Sequence, residues 1–63
     1  MKTLFVNPKD AIRAQNLIDE KDSLNDNLVE YPFDNTRWDI KGENTEENIR
    51  YYFTMFNIQY QIE

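Results

Sequence analysis

The chain has 63 residues and a formal net charge of −5 at pH 7, and it contains neither cysteine nor histidine. This length predicts one small domain, residues 1–63, and the missing side chains exclude disulfides, thiolate chemistry, Cys/His zinc sites and imidazole acid–base catalysis. Four Phe, four Tyr and one Trp therefore have to supply much of the core.

The charge balance limits the possible partners. Twelve Asp and Glu against seven Lys and Arg argue against direct binding of nucleic acid or of an anionic membrane surface, since both need clustered basic side chains. No run of about 18 apolar residues is present, so no membrane span is predicted. The lack of cysteine favours a reducing compartment, and we expect a cytoplasmic protein.

A short strand and a helix are predicted first. Residues 4–6 form the strand, and Asn7 and Pro8 suit the N-cap and the first position of the helix that follows. Ile12 falls outside the apolar stripe of this helix and is expected to be exposed. The stripe consists of Ala11, Ala14, Leu17 and Ile18.

An acidic segment at residues 19–27 separates this helix from the next strand. Its Ser and Asn side chains favour local bonds to the backbone, which predicts a loop rather than a helix. Leu24 is the one large apolar residue within it. We expect Leu24 to anchor the loop to the core.

A hairpin is predicted next. Residues 28–33 form an edge strand, because Pro32 has no N–H to donate to a central ladder. Asp34 and Asn35 both tolerate a left-handed backbone, which predicts a two-residue turn there. The third strand then covers residues 36–41.

This turn fixes the register of the hairpin. It places Val29 opposite Ile40 and Tyr31 opposite Trp38, so that all four side chains face the core. A turn that is one residue longer would place a polar side chain opposite Tyr31. Turn length and apolar pattern therefore agree on one register.

A second helix and a fourth strand complete the chain. Asn44 and Glu47 resemble a capping box at the start of the helix, and Asn57 suits its end. Apolar residues at helical spacing predict the buried stripe Ile49, Tyr52, Phe53 and Phe56. The last strand alternates between the buried residues Ile58, Tyr60 and Ile62 and two glutamines.

The order of these elements predicts an α+β fold of the compact ferredoxin-like type, βαββαβ. Its four-stranded antiparallel sheet has two helices on one face, the first and third strands at its centre, and an open face towards water. The predicted core joins the two helical stripes to the inward residues of the strands. The latter are Leu4, Val6, Val29, Tyr31, Trp38, Ile40, Ile58, Tyr60 and Ile62.

Two surfaces are candidates for binding a partner. The first consists of the carboxylates of the acidic segment and of the second helix start, which are Asp19, Glu20, Asp22, Asp26, Glu43, Glu46 and Glu47. The second is the open face of the sheet, represented by Phe5, Arg37, Asp39 and Lys41. Ile12, Tyr51 and Met55 are further candidates for an exposed apolar contact.

No metal site, cofactor or catalytic residue is predicted. A calcium loop starting at Asp22 would have Leu24 at its third position, where an oxygen ligand is required. Ser23 is the only serine, and no histidine is present to activate it. Stacking of bases on the open face is disfavoured, because the third strand offers no aromatic side chain there.

These observations favour a non-enzymatic interaction protein over an enzyme. We expect the acidic side chains to bind a larger protein with a basic surface, such as one that handles nucleic acid, and thereby to inhibit it. In size, charge and richness in Asn, Ile and Tyr, the chain resembles the small inhibitors that bacteriophages encode against host enzymes or defence systems. The alternative is a homodimeric regulatory or small-ligand-binding module that pairs through the edge strand containing Gln59 and Gln61.

Overall fold

The computed structural model describes residues 2–63, so Met1, the first residue of the predicted domain, lies outside it. A four-stranded antiparallel sheet in the order β2-β3-β1-β4 carries three α-helices, which confirms the α+β class. Within residues 2–63, no helix is both long enough and apolar enough to cross a membrane. The elements are β1 (Thr3–Val6), a 3-10 turn (Pro8–Asp10), α1 (Ala11–Glu20), α2 (Asp22–Asn25), β2 (Leu28–Tyr31), β3 (Asp34–Ile40), α3 (Thr45–Met55) and β4 (Tyr60–Ile62).

The core lies between the helices and one face of the sheet, and most of the predicted core residues are in it. Trp38 and Phe53 are its largest fully buried side chains. The α1 stripe is buried as predicted, and Ile12 is exposed. The residues of the core cluster are Leu4, Val6, Ala14, Leu17, Ile18, Leu24, Leu28, Trp38, Ile40, Ile49, Phe53 and Ile58, with Tyr52, Tyr60 and Ile62 packed against them.

The entry into α1 follows the predicted capping chemistry. The Asn7 side chain accepts a hydrogen bond from the Lys9 N–H at 3.0 Å, and Pro8 begins the 3-10 turn. Arg13 then connects the two long helices. Its Nη1 lies 3.0 Å from Asp10 Oδ1, and its Nη2 donates to the carbonyl oxygen of Phe56 at the end of α3. A cation at this helix C-terminus is favourable, since the carbonyl groups there carry partial negative charge.

Part of the segment predicted as a loop is helical. Lys21 takes an extended backbone that ends α1, and the single turn of α2 follows. Leu24 is fully buried, which confirms that it anchors this segment. Gly42 packs closely against the same region, because a Cβ there would lie 2.9 Å from Asn27 Oδ1. The φ of +80° at this position also favours glycine.

The hairpin turns two residues earlier than predicted. Tyr31 pairs with Asp34, so Pro32 and Phe33 form the turn, and the predicted turn at residues 34–35 is wrong. Pro32 supplies the φ that the second position of a type II turn needs. Phe33 has a φ of 65°, which matches the positive value required at the third position.

The register of β2 differs by one residue from the predicted one. Leu28 pairs with Ile40 and Val29 with Asp39, whereas Val29 was expected opposite Ile40. A shift of one residue moves every side chain of a strand to the other face. Leu28 is therefore buried, while Val29 and Tyr31 lie on the open face, so that their predicted core positions are wrong.

A large bulge in β3 reconciles this register with the early turn. Glu30 pairs with Trp38, but the next residue, Tyr31, pairs with Asp34. Residues 35–37 of β3 therefore have no direct partner on β2. Because the extra residues all belong to one strand, counting outwards from the turn cannot give the correct register.

The start of α3 is not capped as predicted. Asn44 occupies the N-cap position, but its side chain makes no capping hydrogen bond, so the predicted pair with Glu47 is wrong. The buried hydroxyl group of Thr45 instead donates to the carbonyl oxygen of Lys41. This bond ties the first turn of α3 to the residue that follows β3.

The end of α3 is a Schellman motif. The Ile58 N–H donates to the Phe53 carbonyl at 2.8 Å, and the Asn57 N–H donates to the Thr54 carbonyl at 3.1 Å. Asn57 takes the predicted left-handed backbone, with a φ of 56°. Phe56, the C-cap residue of this helix, is 43% exposed, so its predicted core position is wrong.

Candidate functional site

The seven candidate acidic residues lie at one end of the sheet, which we call the acidic end. The antiparallel arrangement places the end of α1, all of α2 and the start of α3 at the edge where β1 begins and β3 ends. Two contacts hold these segments next to one another. The Lys41 N–H donates to the Asn27 carbonyl at 2.7 Å, and Lys2 Nζ lies 3.1 Å from Glu46 Oε2. The structure therefore joins two acidic stretches that are separate in the sequence. The acidic end comprises Asp19, Glu20, Asp22, Asp26, Glu43, Glu46 and Glu47.

Most of these carboxylates face water without a basic partner. Glu46 is half-buried and lies close to Lys2 and, at 3.8 Å, to Arg50 Nη2. Asp19 accepts a hydrogen bond from the Gln15 side chain at 3.0 Å. Among the described residues, none of the acidic end except Glu46 is in a salt bridge. Its six other members are exposed.

The side chains of the acidic end do not converge on one point. In the described part of the chain, no three acidic side chains come close enough together to hold an ion. Lys21 and Lys41 lie in the same segments and offset part of the negative charge. The arrangement therefore offers a charged surface that attracts basic groups, without the convergent ligands that coordination requires.

The open face of the sheet brings together three of its four candidate residues and adds one. The Arg37 guanidinium lies 4.8 Å from the centre of the Tyr31 ring and 5.9 Å from that of Phe5. The Tyr31 hydroxyl group donates to Asp39 Oδ1 at 2.8 Å. Lys41 follows the end of β3 and is exposed outside this group. Sequence reasoning missed Tyr31 because it predicted the other register for β2.

Asp34 holds the bulge of β3 in place. Its carboxylate accepts hydrogen bonds from the Thr36 hydroxyl group at 2.5 Å, from the Thr36 N–H at 3.0 Å and from Arg37 Nε at 2.8 Å. The Thr36 bonds, and then the bond and the charge of Arg37, lower the pKa of Asp34 to about 2. Asp34 is therefore ionised at neutral pH and fixes both the bulge and the orientation of Arg37.

The turn of this hairpin presents the most exposed large apolar side chain of the described residues. Phe33 is fully exposed at the tip, next to the exposed Pro32. The sequence carried one signal for this turn, since Pro32 fits its second position. The more favourable turn residues at 34–35 outweighed that signal. We call residues 31–34 the hairpin tip.

The remaining candidates are more scattered. Ile12, Tyr51 and Met55 are exposed, as predicted. A shallow groove of about 200 Å³ runs between α1 and the end of α3, and Leu17 and Phe56 contribute to its lining. This volume is below the range of about 300–1,000 Å³ that is typical of small-molecule sites.

Comparisons with models of protein families, with curated proteins and with solved structures gave no match to this chain. Its function therefore has to be inferred from its own residues.

Proposed function

We propose that this chain is a small non-enzymatic interaction protein that binds a basic surface of a larger protein. One observation carries the proposal: six exposed carboxylates outside any salt bridge of the described chain lie together at the acidic end. Exposed charges of one sign attract a surface of the opposite sign over about a Debye length and raise the rate of encounter. They also repel nucleic acid and anionic membranes as direct partners.

Binding to such a surface would inhibit the partner protein. The acidic end can cover the basic groove of a protein that binds nucleic acid. The covered groove can then no longer bind its nucleic acid. In size and charge, the chain resembles the small inhibitors that bacteriophages encode against host enzymes or defence systems. We propose that the protein is cytoplasmic, because it has no cysteine and small secreted domains are usually rich in disulfides.

We propose that the fold is of the ferredoxin-like type. The order β2-β3-β1-β4, the antiparallel pairing and the two strand–helix–strand connections support this assignment. The short helix α2 and the bulge in β3 are additions to the basic βαββαβ pattern. Because this type of fold hosts many unrelated functions, it adds no weight to any one of them.

A pair of charge variants tests the proposal. Asp22→Asn/Glu43→Gln removes two negative charges from the acidic end, whereas Asn16→Lys/Gln59→Lys changes the net charge equally through exposed positions elsewhere. We expect the first variant to lose at least tenfold in capture of a partner from cytoplasmic extract at low salt, and the second to keep its capture. Added salt should weaken capture by the native chain.

Two results would count against the proposal. Equal losses of partner capture in both variants would show that binding depends on the net charge of the chain and not on the acidic end. The absence of any protein above background at low salt would contradict an interaction role for this surface.

A homodimer is the second candidate, favoured by the edge position of β4. This strand pairs only with β1, so its outer edge is open within the described chain, and Gln61 on it is exposed. Pairing of two such edges across a two-fold axis would give a regulatory or small-ligand-binding module. Sedimentation equilibrium decides the matter, because a strict monomer at high concentration excludes this candidate.

A further inference from the structure

Phe33 is unfavourable for folding in two independent ways. Its side chain is fully exposed, so folding removes none of its apolar surface from water. Its φ of 65° lies in the left-handed region, where a bulky side chain is an outlier and glycine or asparagine is the usual residue. Neither the core nor the turn therefore explains a phenylalanine at this position.

The hairpin tip nevertheless holds the backbone of Phe33 in a defined conformation. Pro32 has a fixed φ immediately before it. Asp34 immediately after it accepts three hydrogen bonds from Thr36 and Arg37. A residue that is presented from a fixed turn loses little backbone freedom on binding, so part of the cost of ordering the anchor is already met by the fold.

The surroundings of the tip indicate the kind of partner that it fits. Val29 is 44% exposed, and Glu30 is an exposed acid on the same edge strand. The acidic end begins where β2 starts, with Asp26 two residues before Leu28. A strand of four residues is about 13 Å long, so one interface of ordinary size reaches both the acidic end and Phe33.

We propose that Phe33 is the anchor by which this chain binds its protein partner, and that its ring enters an apolar pocket flanked by basic side chains. Buried aromatic anchors surrounded by weaker polar contacts are typical of binding hot spots. The inference rests on the proposed function and adds to it the contact that fixes the complex once the charges have brought the partners together. The edge of β2, from the acidic end to the hairpin tip, is then the docking surface.

Site-specific photocrosslinking tests this placement. The full chain carries p-benzoylphenylalanine in place of Phe33 or, as a matched control, in place of Tyr51, an exposed aromatic residue on α3. Irradiation in cytoplasmic extract at low salt should give an adduct at position 33 in at least tenfold higher yield than at position 51. The crosslinked peptide of the partner should come from an apolar pocket with Lys or Arg beside it. Equal yields at both positions, or attachment to a flat polar surface, would overturn the proposal.

Two substitutions measure the contribution of the ring to binding of the crosslinked partner. Phe33→Gly should lower its affinity at least tenfold while the unfolding midpoint stays equal or rises, because glycine suits the left-handed backbone. Phe33→Trp, which keeps a large aromatic ring, should bind within threefold of the native chain. If Phe33→Gly binds within threefold while Asp22→Asn/Glu43→Gln loses binding, the anchor is wrong and the proposed function stands. If the charge variant binds normally, the proposed function itself fails.

Discussion

Replacing Leu28 and Val29 one at a time by alanine tests the register of β2 directly. The observed register buries Leu28, which is 8% exposed, and leaves Val29 44% exposed on the open face. A buried Leu→Ala change costs about 2–5 kcal/mol, since it removes apolar contacts and leaves a cavity. A change at an exposed strand position costs under about 1 kcal/mol.

These costs are large compared with the expected stability of the chain. At about 0.05–0.15 kcal/mol per residue, 63 residues give a free energy of unfolding of about 3–9 kcal/mol. Leu28→Ala should therefore remove about a fifth of the stability or more, whereas Val29→Ala should leave most of it.

Urea denaturation is a suitable assay, because Trp38 is the only tryptophan and is 1% exposed, so its fluorescence reports on the core. The slope of the unfolding free energy against urea concentration should stay the same in both variants, so that the midpoint alone measures the loss. A larger loss for Val29→Ala than for Leu28→Ala would refute the register and restore the one that the sequence pattern predicted.

Three further predictions follow from single backbone or side-chain features. Because the pKa of Asp34 is lowered from 3.8 to about 2, its carboxylate stabilises the fold above about pH 4, and this contribution is lost as the pH falls through about 2. NMR titration should give that pKa, and Asp34→Asn should make the urea midpoint less dependent on pH between 2 and 4. Asn57→Ala should cost about 1–2 kcal/mol in urea denaturation because alanine tolerates the left-handed backbone poorly, while Asn57→Gly should be neutral or stabilising. Gly42→Ala should cost about 1–2 kcal/mol in thermal or urea unfolding, since its φ is +80° and the added Cβ would press on Asn27 Oδ1. If Gly42→Ala kept the native stability, the close approach at this position would be wrong.

The two long helices, α1 and α3, were predictable because their signals are local, whereas α2 lies in a segment predicted as a loop. Asn7 and Pro8 mark the entry into α1, and the periodic apolar residues that follow point to the core as expected. Asn57 marked the end of α3 correctly. Phe56 had the right spacing for the core stripe but is the last residue before the chain turns, and periodicity does not report that change of direction.

The hairpin was not predictable in the same way. Residues 34–35 have better turn propensity than Pro32 and Phe33. They also gave a register in which Val29, Tyr31, Trp38 and Ile40 all faced inwards. The structure turns earlier and absorbs the difference in a bulge held by the Asp34 carboxylate. The bonds that hold this bulge join Asp34 to Thr36 and Arg37, and the apolar pattern of a regular ladder does not report them.

The candidate site was predictable only in part. Composition and charge identified the acidic residues, and the antiparallel arrangement then brought both acidic stretches to one end of the sheet. Phe33 could not be identified, because the apolar pattern placed it at the end of the strand at residues 28–33 and not in the turn. Its exposure became visible only once the position of the turn was known.

The strand order makes the two halves of this protein dependent on each other. Within residues 2–63, β1 and β2 pair only with strands from the second half of the chain, and β3 and β4 pair only with strands from the first. Neither half contains a complete pair of its own, so a growing chain cannot form its sheet until β3 has been synthesised. Cleavage at the exposed hairpin tip should accordingly give two fragments that are unfolded when separate and that restore the sheet when mixed.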